Sequence, residues 1–412
     1  MCFGIKTARN CCMRTLTIVT ILLSFFPVQL QASTEIIGAY DGRSAAMAGT
    51  GGAFIDSGAA VFHNPAMLTR VDQLAATFDL SPIMARFTVP LNGPQTEVTS
   101  DADVFPLFLF GAGWRLSERI VLGFAAYPTA GYGSGYSNVA SLGGRDFRLG
   151  VFSTEAAPTI AIRLSEKLSA GLAYRVTYAM QTASTPLPAT GSAAEVDLSG
   201  TNFFGVHVGA TYQLSDNLNL ALTYRSQVTT RLTGTTTIAN NTFDTTSEFS
   251  SPHAAKLAAA FWMNERRLML AFDAEYLFFR TSSKQVRTEL VSPGGAGTQT
   301  TITPLNWTNV ASIGLGAEYL LRPQFPVRAG YYISGSATPT TTAGYFTPPP
   351  GLSHSFHFGV GFLRRGRWDF DVAGLYAITG KDAQPNQPTP PPNAGNYSGR
   401  TALLSLSATY RY

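Results

Sequence analysis

Residues Leu218–Arg225 read Leu-Asn-Leu-Ala-Leu-Thr-Tyr-Arg, so that large apolar side chains alternate with small or polar ones. Successive side chains of a β-strand point to opposite faces, and this segment therefore has one apolar face and one mostly polar face. The same alternation occurs in Leu268–Tyr276 and in Arg367–Val372. Repeated segments of this kind are typical of a membrane-spanning antiparallel β-barrel, in which one face meets lipid and the other meets the lumen.

From residue 75 onward the alternating segments number fourteen, an even number as bacterial barrels require. Their predicted bounds are 75–88, 105–116, 120–135, 150–164, 168–182, 201–214, 218–232, 252–263, 268–280, 309–321, 325–334, 354–364, 368–379 and 400–412. Six connections are tight and seven are long, and the two kinds alternate. Because such barrels have short periplasmic turns and long outer loops, both chain ends are predicted to be periplasmic.

The longest outer loops are rich in Pro, Gly, Thr and Asn. They are predicted at Thr235–Thr246, Ser292–Thr303, Thr338–Pro350 and Asp382–Asn396. Each of them returns the chain to the next alternating segment, so we interpret them as loops of one barrel over residues 74–412 and not as linkers between domains.

Residues 1–32 are predicted to be a secretory signal peptide. Lys6, Arg9 and Arg14 form a basic start, Leu16–Phe26 is an apolar run, and Ala32 offers a small residue at a cleavage point. The alternative is a membrane anchor, but the apolar run is short for a bilayer span. An export signal in this setting indicates the outer membrane of a Gram-negative cell.

Composition excludes several classes of protein. All three cysteines lie in the predicted signal, so the mature chain has no disulfide framework. The remaining chain carries 26 Lys and Arg against 25 Asp and Glu, since the signal holds three of the 29 basic residues and no acid. That balance argues against binding of nucleic acid. Only 13% of the residues are charged, whereas soluble domains have about 25%.

Residues 33–73 do not alternate, and we predict that they form a plug inside the barrel. The segment is rich in Gly and Ala, as in Gly42–Gly52. Asp56 is predicted to cap one short helix, and Asn64 followed by Pro65 is predicted to start another. A barrel of fourteen strands is wider than one filled by its own side chains, so a compact segment of small residues suits its lumen.

The stretch from Gly42-Arg43 to Asn64-Pro65-Ala66-Met67-Leu68 resembles the plug of the FadL/TodX family, in which the Asn-Pro-Ala motif is a marker. Further stretches resemble the same family and occur in the same order, so that the match covers essentially residues 38–412. These stretches are Tyr127–Gly131, Tyr212–Val228, Ala329–Pro339, Pro350–Leu352 and Trp368–Asp369.

The resemblance implies an outer-membrane transporter of hydrophobic molecules such as long-chain fatty acids or hydrocarbons. Ligand would adsorb among the outer loops, enter a lumen pocket and leave sideways near a kinked third strand once the plug moves. The plug and gating residues implied are Gly42, Arg43, Asn64, Pro65 and Ala66.

The kink of the third strand is expected at Pro128, Gly131 and Gly133. Proline cannot donate a ladder hydrogen bond, and glycine in a strand favours bulges and bends, so the residues themselves permit a gap in the wall. The alternative is ordinary irregularity of a barrel strand.

Two positions depart from the pattern of family members that bind fatty acids. Trp307 is followed by Thr308-Asn309 in place of a basic residue, and Phe278-Phe279-Arg280 replaces an aromatic-Ser pair. These changes leave room for neutral hydrocarbons. Trp307, Phe278, Phe279 and Arg280 are the candidate substrate contacts.

The sequence predicts no catalytic residue, no metal and no cofactor. Asp273 and Glu275 could serve acid–base catalysis, but lumen charges of barrels more often pair with one another and with a plug. His207 and His357 are also predicted to point inward, and no third ligand with metal-site spacing accompanies them.

The predicted partners are a hydrophobic ligand, outer membrane lipid and the barrel-assembly machinery, and we expect a monomer. The last residue, Tyr412, resembles the aromatic C-terminal signal of barrels, although Tyr is also favoured at any membrane interface. Two other functions stay open: a general porin for small polar solutes, and an outer-membrane adhesin or enzyme. A porin would need an open lumen without a plug.

Overall fold

The computed structural model describes residues 40–187, 192–295, 297–365, 367–386 and 393–412. The predicted export signal and residues 33–39 of the predicted plug lie outside these ranges. Within them, no helix is long and apolar enough to cross a bilayer.

The described residues contain nineteen strand segments. In chain order they are β1 Leu74–Val89, β2 Val98–Thr99, β3 Asp103–Arg115, β4 Ile120–Val139, β5 Arg145–Arg163, β6 Leu168–Leu187, β7 Ser192–Ser215, β8 Leu218–Arg225, β9 Val228–Ile238, β10 Asn241–Ser251, β11 Ala254–Met263, β12 Leu268–Leu277, β13 Gln285–Val291, β14 Thr298–Pro304, β15 Val310–Arg322, β16 Phe325–Ser334, β17 Ser353–Arg365, β18 Trp368–Ala383 and β19 Gly395–Arg411.

Fourteen of these segments close into an antiparallel barrel, which confirms the predicted fold class. The order around the wall is β1, β3, β4, β5, β6, β7, β8, β11, β12, β15, β16, β17, β18 and β19. Strand β19 pairs back with β1, and at the end of this seam Tyr412 and Leu74 exchange two backbone hydrogen bonds of 2.9 and 3.2 Å. The start of the first strand and the last residue therefore lie at the same end of the barrel.

The outward face of the wall is apolar and exposed, as the alternation predicts. Leu222, Phe356 and Phe358 expose 59%, 55% and 64% of their surface. Such side chains gain free energy in a lipid environment at about 25 cal/mol per Å² of apolar surface. The inward positions between them carry small or polar residues, for which a filled lumen has space and hydrogen-bond partners.

Five segments lie outside the barrel wall: β2 pairs with the end of β1, and the other four form an outer sheet. Strand β9 pairs with the upper part of β7, β10 pairs with β9, β13 with β10, and β14 with β13. The predicted strand 218–232 is therefore wrong in its bounds, because β8 ends at Arg225 and a new strand begins at Val228. The predicted loops Thr235–Thr246 and Ser292–Thr303 contain much of this sheet; their many threonines are β-branched and favour strands even without apolar alternation.

Residues 40–73, here called the inner segment, lie within the barrel. Almost all of their side chains are buried, and their contacts are with the inward faces of the strands. The segment contains helix α1 Gly42–Ala45, helix α2 Ala60–His63 and a 3-10 helix Pro65–Arg70. The other short helices are 3-10 turns Ala140–Leu142 and Pro293–Gly295 and helix α3 Phe279–Ser282, all in outer connections.

Candidate functional site

Asn64 joins three parts of the molecule. Its Oδ1 accepts a 3.0 Å hydrogen bond from the backbone N–H of Ala66, which caps the 3-10 helix that begins at Pro65, and this confirms the predicted cap. Its Nδ2 donates to the carbonyl oxygen of Gly52 at 2.8 Å and to that of Ala210 in β7 at 3.3 Å. One amide therefore fixes the helix, the Gly-rich turn and the barrel wall to one another.

Asp56 does not cap a helix, so that expectation is wrong. Helix α2 begins after Ala59, which offers no capping side chain. The carboxylate of Asp56 instead forms a salt bridge with Arg411 in the last strand, at 3.0 Å. A carboxylate beside a charged guanidinium forms a charge-assisted hydrogen bond, which is stronger than a hydrogen bond between uncharged groups.

Glycines in the wall let the inner segment approach closely. A Cβ added to Gly209 would lie 2.0 Å from Oδ1 of Asn64, and one added to Gly171 would lie 2.4 Å from the backbone of Pro65. Any side chain at either position would therefore clash with the Asn64-Pro65 motif and displace it. These two wall positions belong to the site, although the sequence gives no sign of which strand the motif touches.

Ion pairs hold one side of the inner segment. Arg43 donates to both oxygens of Glu318 at 3.0 and 2.7 Å, and Arg328 donates to Glu318 at 2.6 Å and to Asp371 at 2.5 Å. The barrel acids thus pair with arginines of both the wall and the inner segment. A buried pair of this kind is costly to break, because the partner left behind keeps its charge without compensation.

Backbone groups of the inner segment bind two further lumen side chains. The carboxylate of Asp273 accepts from the N–H groups of Gly51 and Gly52 at 3.2 and 3.3 Å. A ring nitrogen of His357 lies 2.7 Å from the carbonyl oxygen of Ala45, at the end of α1. Both side chains thus act as anchors for the inner segment.

The barrel wall is broken between β3 and β4. Strand β3 pairs with β1 from Asp103 to Trp114, but with β4 only from Phe110 to Arg115. Among the described residues, the two strands form no ladder pair beyond Phe110 toward the long-loop end. The break ends where the N–H of Asp101 donates to the carbonyl oxygen of Gly135 at 2.7 Å. It is thus a gap with a lower and an upper edge.

Pro128 lies at the lower part of this break. Its register with β5 shifts between Pro128 and Ala130, so that Thr129 is the extra residue between two ladder pairs, as in a β-bulge. Proline has no N–H to donate to β3, and the bulge turns the following residues away from that strand. Gly131 continues the pairing with β5, opposite Phe152.

The ring of Phe105 lies in the break. A Cβ added to Gly133 would lie 2.2 Å from Cζ of Phe105, so the ring packs directly against the backbone of β4. Phe105 is half-buried and also touches the apolar core around the inner segment. The side chain therefore fills part of the space that the missing ladder leaves, and only glycine at position 133 permits this.

The leading end of the inner segment reaches the same break. The hydroxyl of Tyr40 donates a hydrogen bond to the carbonyl oxygen of Pro128. Its ring stacks edge-on against Phe62 at 4.6 Å, and Phe62 in turn contacts Tyr127 at 5.0 Å. The three aromatic rings and the strand kink thus form one cluster. A movement of residue 40 would therefore change the contacts at the edge of the break.

A buried charge network supports this cluster from within. Glu155 on β5 accepts from Arg175 at 2.5 and 2.9 Å, from Arg225 at 3.0 Å and from the hydroxyl of Tyr127 at 3.2 Å. Every one of these side chains is buried. The network fixes Tyr127, the residue before Pro128, so the kink has a rigid support on its inner side.

The loop between β16 and β17 folds into the other end of the barrel. Phe346 is 1% exposed, and its ring contacts Phe147 at 4.5 Å and Tyr136 at 5.7 Å. The hydroxyl of Tyr136 donates to the carbonyl oxygen of Tyr345 at 2.9 Å. This loop and the upper strands form an aromatic-rich apolar cluster at the mouth, separate from the core around the inner segment.

The four candidate substrate contacts are only partly brought together. Phe279 and Trp307 pack edge-on at 5.4 Å in a buried apolar cluster, and no acceptor among the described residues binds the buried indole N–H. Phe278 instead packs on Tyr276, which is exposed on the wall. Arg280 is exposed as well.

Among the described residues, no group of three or more His, Cys, Asp or Glu side chains could hold a metal ion. His207 is buried, and neither of its ring nitrogens has a hydrogen-bond partner among the described protein groups. It lines a small polar cavity together with His63 and Arg225. Such a site suits an ordered water.

The comparisons with known proteins agree with this geometry. Residues 24–412 match the model of the family described as outer membrane protein transport protein (OMPP1/FadL/TodX). No curated protein matches the chain. A solved structure of a Pseudomonas aeruginosa FadL homologue is similar over 94% of this chain and 99% of its own, with 16% identity and a TM-score of 0.74.

Two solved toluene transporters are similar to the same degree. TodX of P. putida has 17% identity and a TM-score of 0.72, and TbuX of Ralstonia pickettii has 17% identity and a TM-score of 0.71. In both cases the match covers 91% of this chain and 99% of the other. At this identity the likeness concerns the fold.

Proposed function

Because the chain belongs to the OMPP1/FadL/TodX family of outer membrane transport proteins, we propose that it takes up neutral hydrophobic molecules and releases them sideways into the bilayer. Members of this family are transporters and not enzymes. The observation that carries the proposal is the break between β3 and β4, which lies beside the leading end of the inner segment.

In this proposal the inner segment acts as a plug. It fills the bore from the end at which the start of β1 meets Tyr412, and that end faces the periplasm. Asn64 and the ion pair of Arg43 with Glu318 hold its body in place, while Tyr40 forms the mobile contact at Pro128. Opening then needs movement of the leading residues only, and the rest of the plug keeps the bore closed to ions.

Capture begins at the mouth of the barrel. The aromatic cluster around Phe346 lies among the long loops, and a hydrophobic ligand that displaced one of its buried rings would enter apolar surroundings. Each methylene that moves from water to apolar surroundings gains about 0.8 kcal/mol. Release into the bilayer keeps that gain, whereas release into periplasmic water would lose it, so the sideways route is the favourable one for a hydrophobic cargo.

The apolar cluster around Phe279 and Trp307 favours a neutral cargo over a carboxylate. Phe279 and Trp307 are buried, but Arg280 and Lys284 beside them in sequence are exposed and cannot neutralise a buried charge. A carboxylate held there would lose its hydration without an ion pair, at a cost of several kcal/mol. Two of the similar solved structures are toluene transporters, and toluene is a neutral aromatic molecule of this kind.

Uptake by a strain that has this protein as its single route for hydrocarbons tests the proposal. Pro128→Ala restores an N–H on the edge of β4 and removes the fixed φ, so β3 and β4 can pair further, and toluene uptake is expected to fall severalfold. Pro158→Ala on β5 is the matched control, since Pro158 lies outside the break, opposite Phe124. Equal uptake by both variants would rule out exit through the break.

The plug is tested separately in planar bilayers. The intact protein is expected to pass no steady ion current, because the inner segment fills the bore. A large steady current through the intact protein would identify an open porin and overturn the proposed function.

A further inference from the structure

Two arginines lie directly opposite each other on the outside of the barrel. Arg86 of β1 is paired in register with Arg400 of β19, and both are exposed. They share the outward face, because Met84 and Leu80 on β1 and Leu404 on β19 have the same parity and are exposed to the outside. Like charges directly opposite each other on one face of a sheet repel, so the pair needs an anion or strong hydration between them.

The arginines mark the upper border of the lipid-facing band. Two residues nearer to the tight-turn end, the next outward row consists of Met84, Ala402, Tyr376 and Phe356, which pair in register across four strands. Met84, Tyr376 and Phe356 expose 43%, 46% and 55% of their surface. Positive charge therefore lies immediately above an uninterrupted apolar surface.

A groove adjoins the arginines on the side of the long loops. Its volume is about 840 Å³, and it is lined by the cations Arg400 and Lys381 and by the apolar side chains of Ile378 and Leu352, with His354 and Ser398. Leu352 belongs to the loop that closes the mouth, and it overhangs the wall with 56% of its surface exposed. The groove thus combines apolar walls with positive charge.

These cations have no acidic partner among the described residues. Arg86, Arg400 and Lys381 form no salt bridge there, although nearby Glu97 accepts a hydrogen bond from Asn396 at 3.2 Å. The lumen arginine Arg328, by contrast, forms salt bridges with two carboxylates, those of Glu318 and Asp371. An anionic group from outside the chain would satisfy the charges on the outer rim.

We propose that Arg86 and Arg400 bind the phosphate groups of a lipid in the outer leaflet, whose acyl chains lie over the apolar row below. Arginine pairs bind phosphate in a bidentate manner, and this explains two of them on adjacent strands. The apolar row and the groove select an amphiphile over free phosphate. The inference rests on the proposed orientation, in which the long loops lie outside the cell.

Native mass spectrometry of the full chain in detergent tests this site, with diphosphorylated lipid A as the probe. Arg86→Gln combined with Arg400→Gln is expected to weaken binding by about tenfold or more, since two charge-assisted contacts are lost. The control is Arg119→Gln combined with Lys167→Gln, which removes two exposed cations in tight turns at the opposite rim. It is expected to bind as the unmodified protein does.

Two further measurements separate the possible ligands. Lipid A without its phosphates is expected to bind as weakly to the unmodified protein as intact lipid A binds to the Arg86/Arg400 double variant. Inorganic phosphate is expected not to compete at millimolar concentration. Equal binding of both lipids, or an unchanged affinity of the double variant, would overturn the proposal, and competition by inorganic phosphate alone would replace the lipid with a soluble anion.

The thermal stability of the variants gives a second readout. In detergent without phosphorylated lipid, the Arg86/Arg400 double variant is expected to melt no lower than the unmodified protein, because repulsion between the arginines is removed. Added lipid A is expected to raise the melting temperature of the unmodified protein and not that of the variant. Neither measurement depends on transport. If the protein proved not to take up hydrocarbons, the binding and melting results would still test the lipid site.

Discussion

The hydroxyl of Tyr40 donates a hydrogen bond to the carbonyl oxygen of Pro128, and this bond links the leading end of the inner segment to the kinked edge of β4. The two residues are 88 positions apart in sequence. Pro128 starts the bulge that separates β4 from β3. The contact thus links the position of the inner segment to the break, and their coupling is best tested here.

Tyr40→Phe removes this hydrogen bond and keeps the ring that packs on Phe62. A hydrogen bond contributes about 1 kcal/mol net, so the open fraction of the leading end is expected to rise about fivefold. Uptake of toluene by cells is expected to increase, while the melting temperature changes little. Tyr178→Phe is the control, because Tyr178 lies exposed on the outside of β6. A fall in uptake would contradict the coupling.

Gly209→Ala is expected to displace the Asn64-Pro65 motif, because the new Cβ would lie 2.0 Å from Oδ1 of Asn64. Overpacking of this kind costs about 1–3 kcal/mol, and the barrel itself stays closed through its ladder. Hydrogen exchange of residues 40–73 is expected to quicken, and brief currents are expected in planar bilayers. Gly297→Ala provides the comparison, since its Cβ would point into open space. Unchanged hydrogen exchange of residues 40–73 would show that the barrel wall shifts and that the motif stays in place.

Phe105→Ala is expected to enlarge the exit, because the ring now packs against Gly133 within the break. Uptake of bulky substrates, such as substituted naphthalenes, is expected to rise more than uptake of toluene. The measurement is a series of uptake rates against substrate width. Phe110→Ala serves as the control: Phe110 lies at the paired end of β3 and exposes 47% of its surface to the outside. The same profile for both variants would exclude Phe105 from the exit.

Because of Asp41, the stability with which the inner segment is bound in the barrel is expected to depend on pH. Burial, together with the carboxyl groups of Asp371 and Asp79, raises the pKa of Asp41 to about 7. A raised pKa means that the folded state favours the protonated acid, so this contribution to stability is present at low pH and is lost as the pH rises through about 7. Protease cleavage near residue 40 is therefore expected to quicken as the pH rises from about 4 to about 7, and to level off above pH 7.

The variant Asp41→Asn is expected to abolish that dependence. Asparagine caps a helix as well as aspartate does, so α1 keeps its bonds to the N–H groups of Arg43 and Ser44. A cleavage rate that still rises between about pH 4 and pH 7 in this variant would assign the effect to another group.

The barrel strands were predictable because their signal is local. A two-residue period, as in Leu218–Arg225, follows from one segment and needs no knowledge of its neighbours. The cap by Asn64 is local for the same reason. The outer sheet was missed, because threonine-rich segments such as Val228–Ile238 lack the apolar alternation that a lipid-facing strand requires.

The contacts of the inner segment were not predictable, because they depend on which strand faces which residue. Nothing in the sequence around Gly209 tells that Asn64 seats against it, and Tyr40 gives no sign of its bond to Pro128. Asp56 could cap a helix or bind Arg411, and the choice is set by the closure of the barrel seam beside it. A row of inward glycines in lumen-facing strands is the one signal that could have indicated close contact.

The break between β3 and β4 has a consequence for the surrounding lipid. Among the described residues, the backbone groups of Asp103–Leu109 that point away from β1 have no strand partner, and in hydrocarbon each such group costs several kcal/mol. We therefore expect water or polar head groups to reach them, from the lumen or along the outside of the barrel. Lipid head groups drawn to this seam would thin the bilayer there, and a hydrocarbon that left through the break would enter the membrane where the acyl chains are most disturbed.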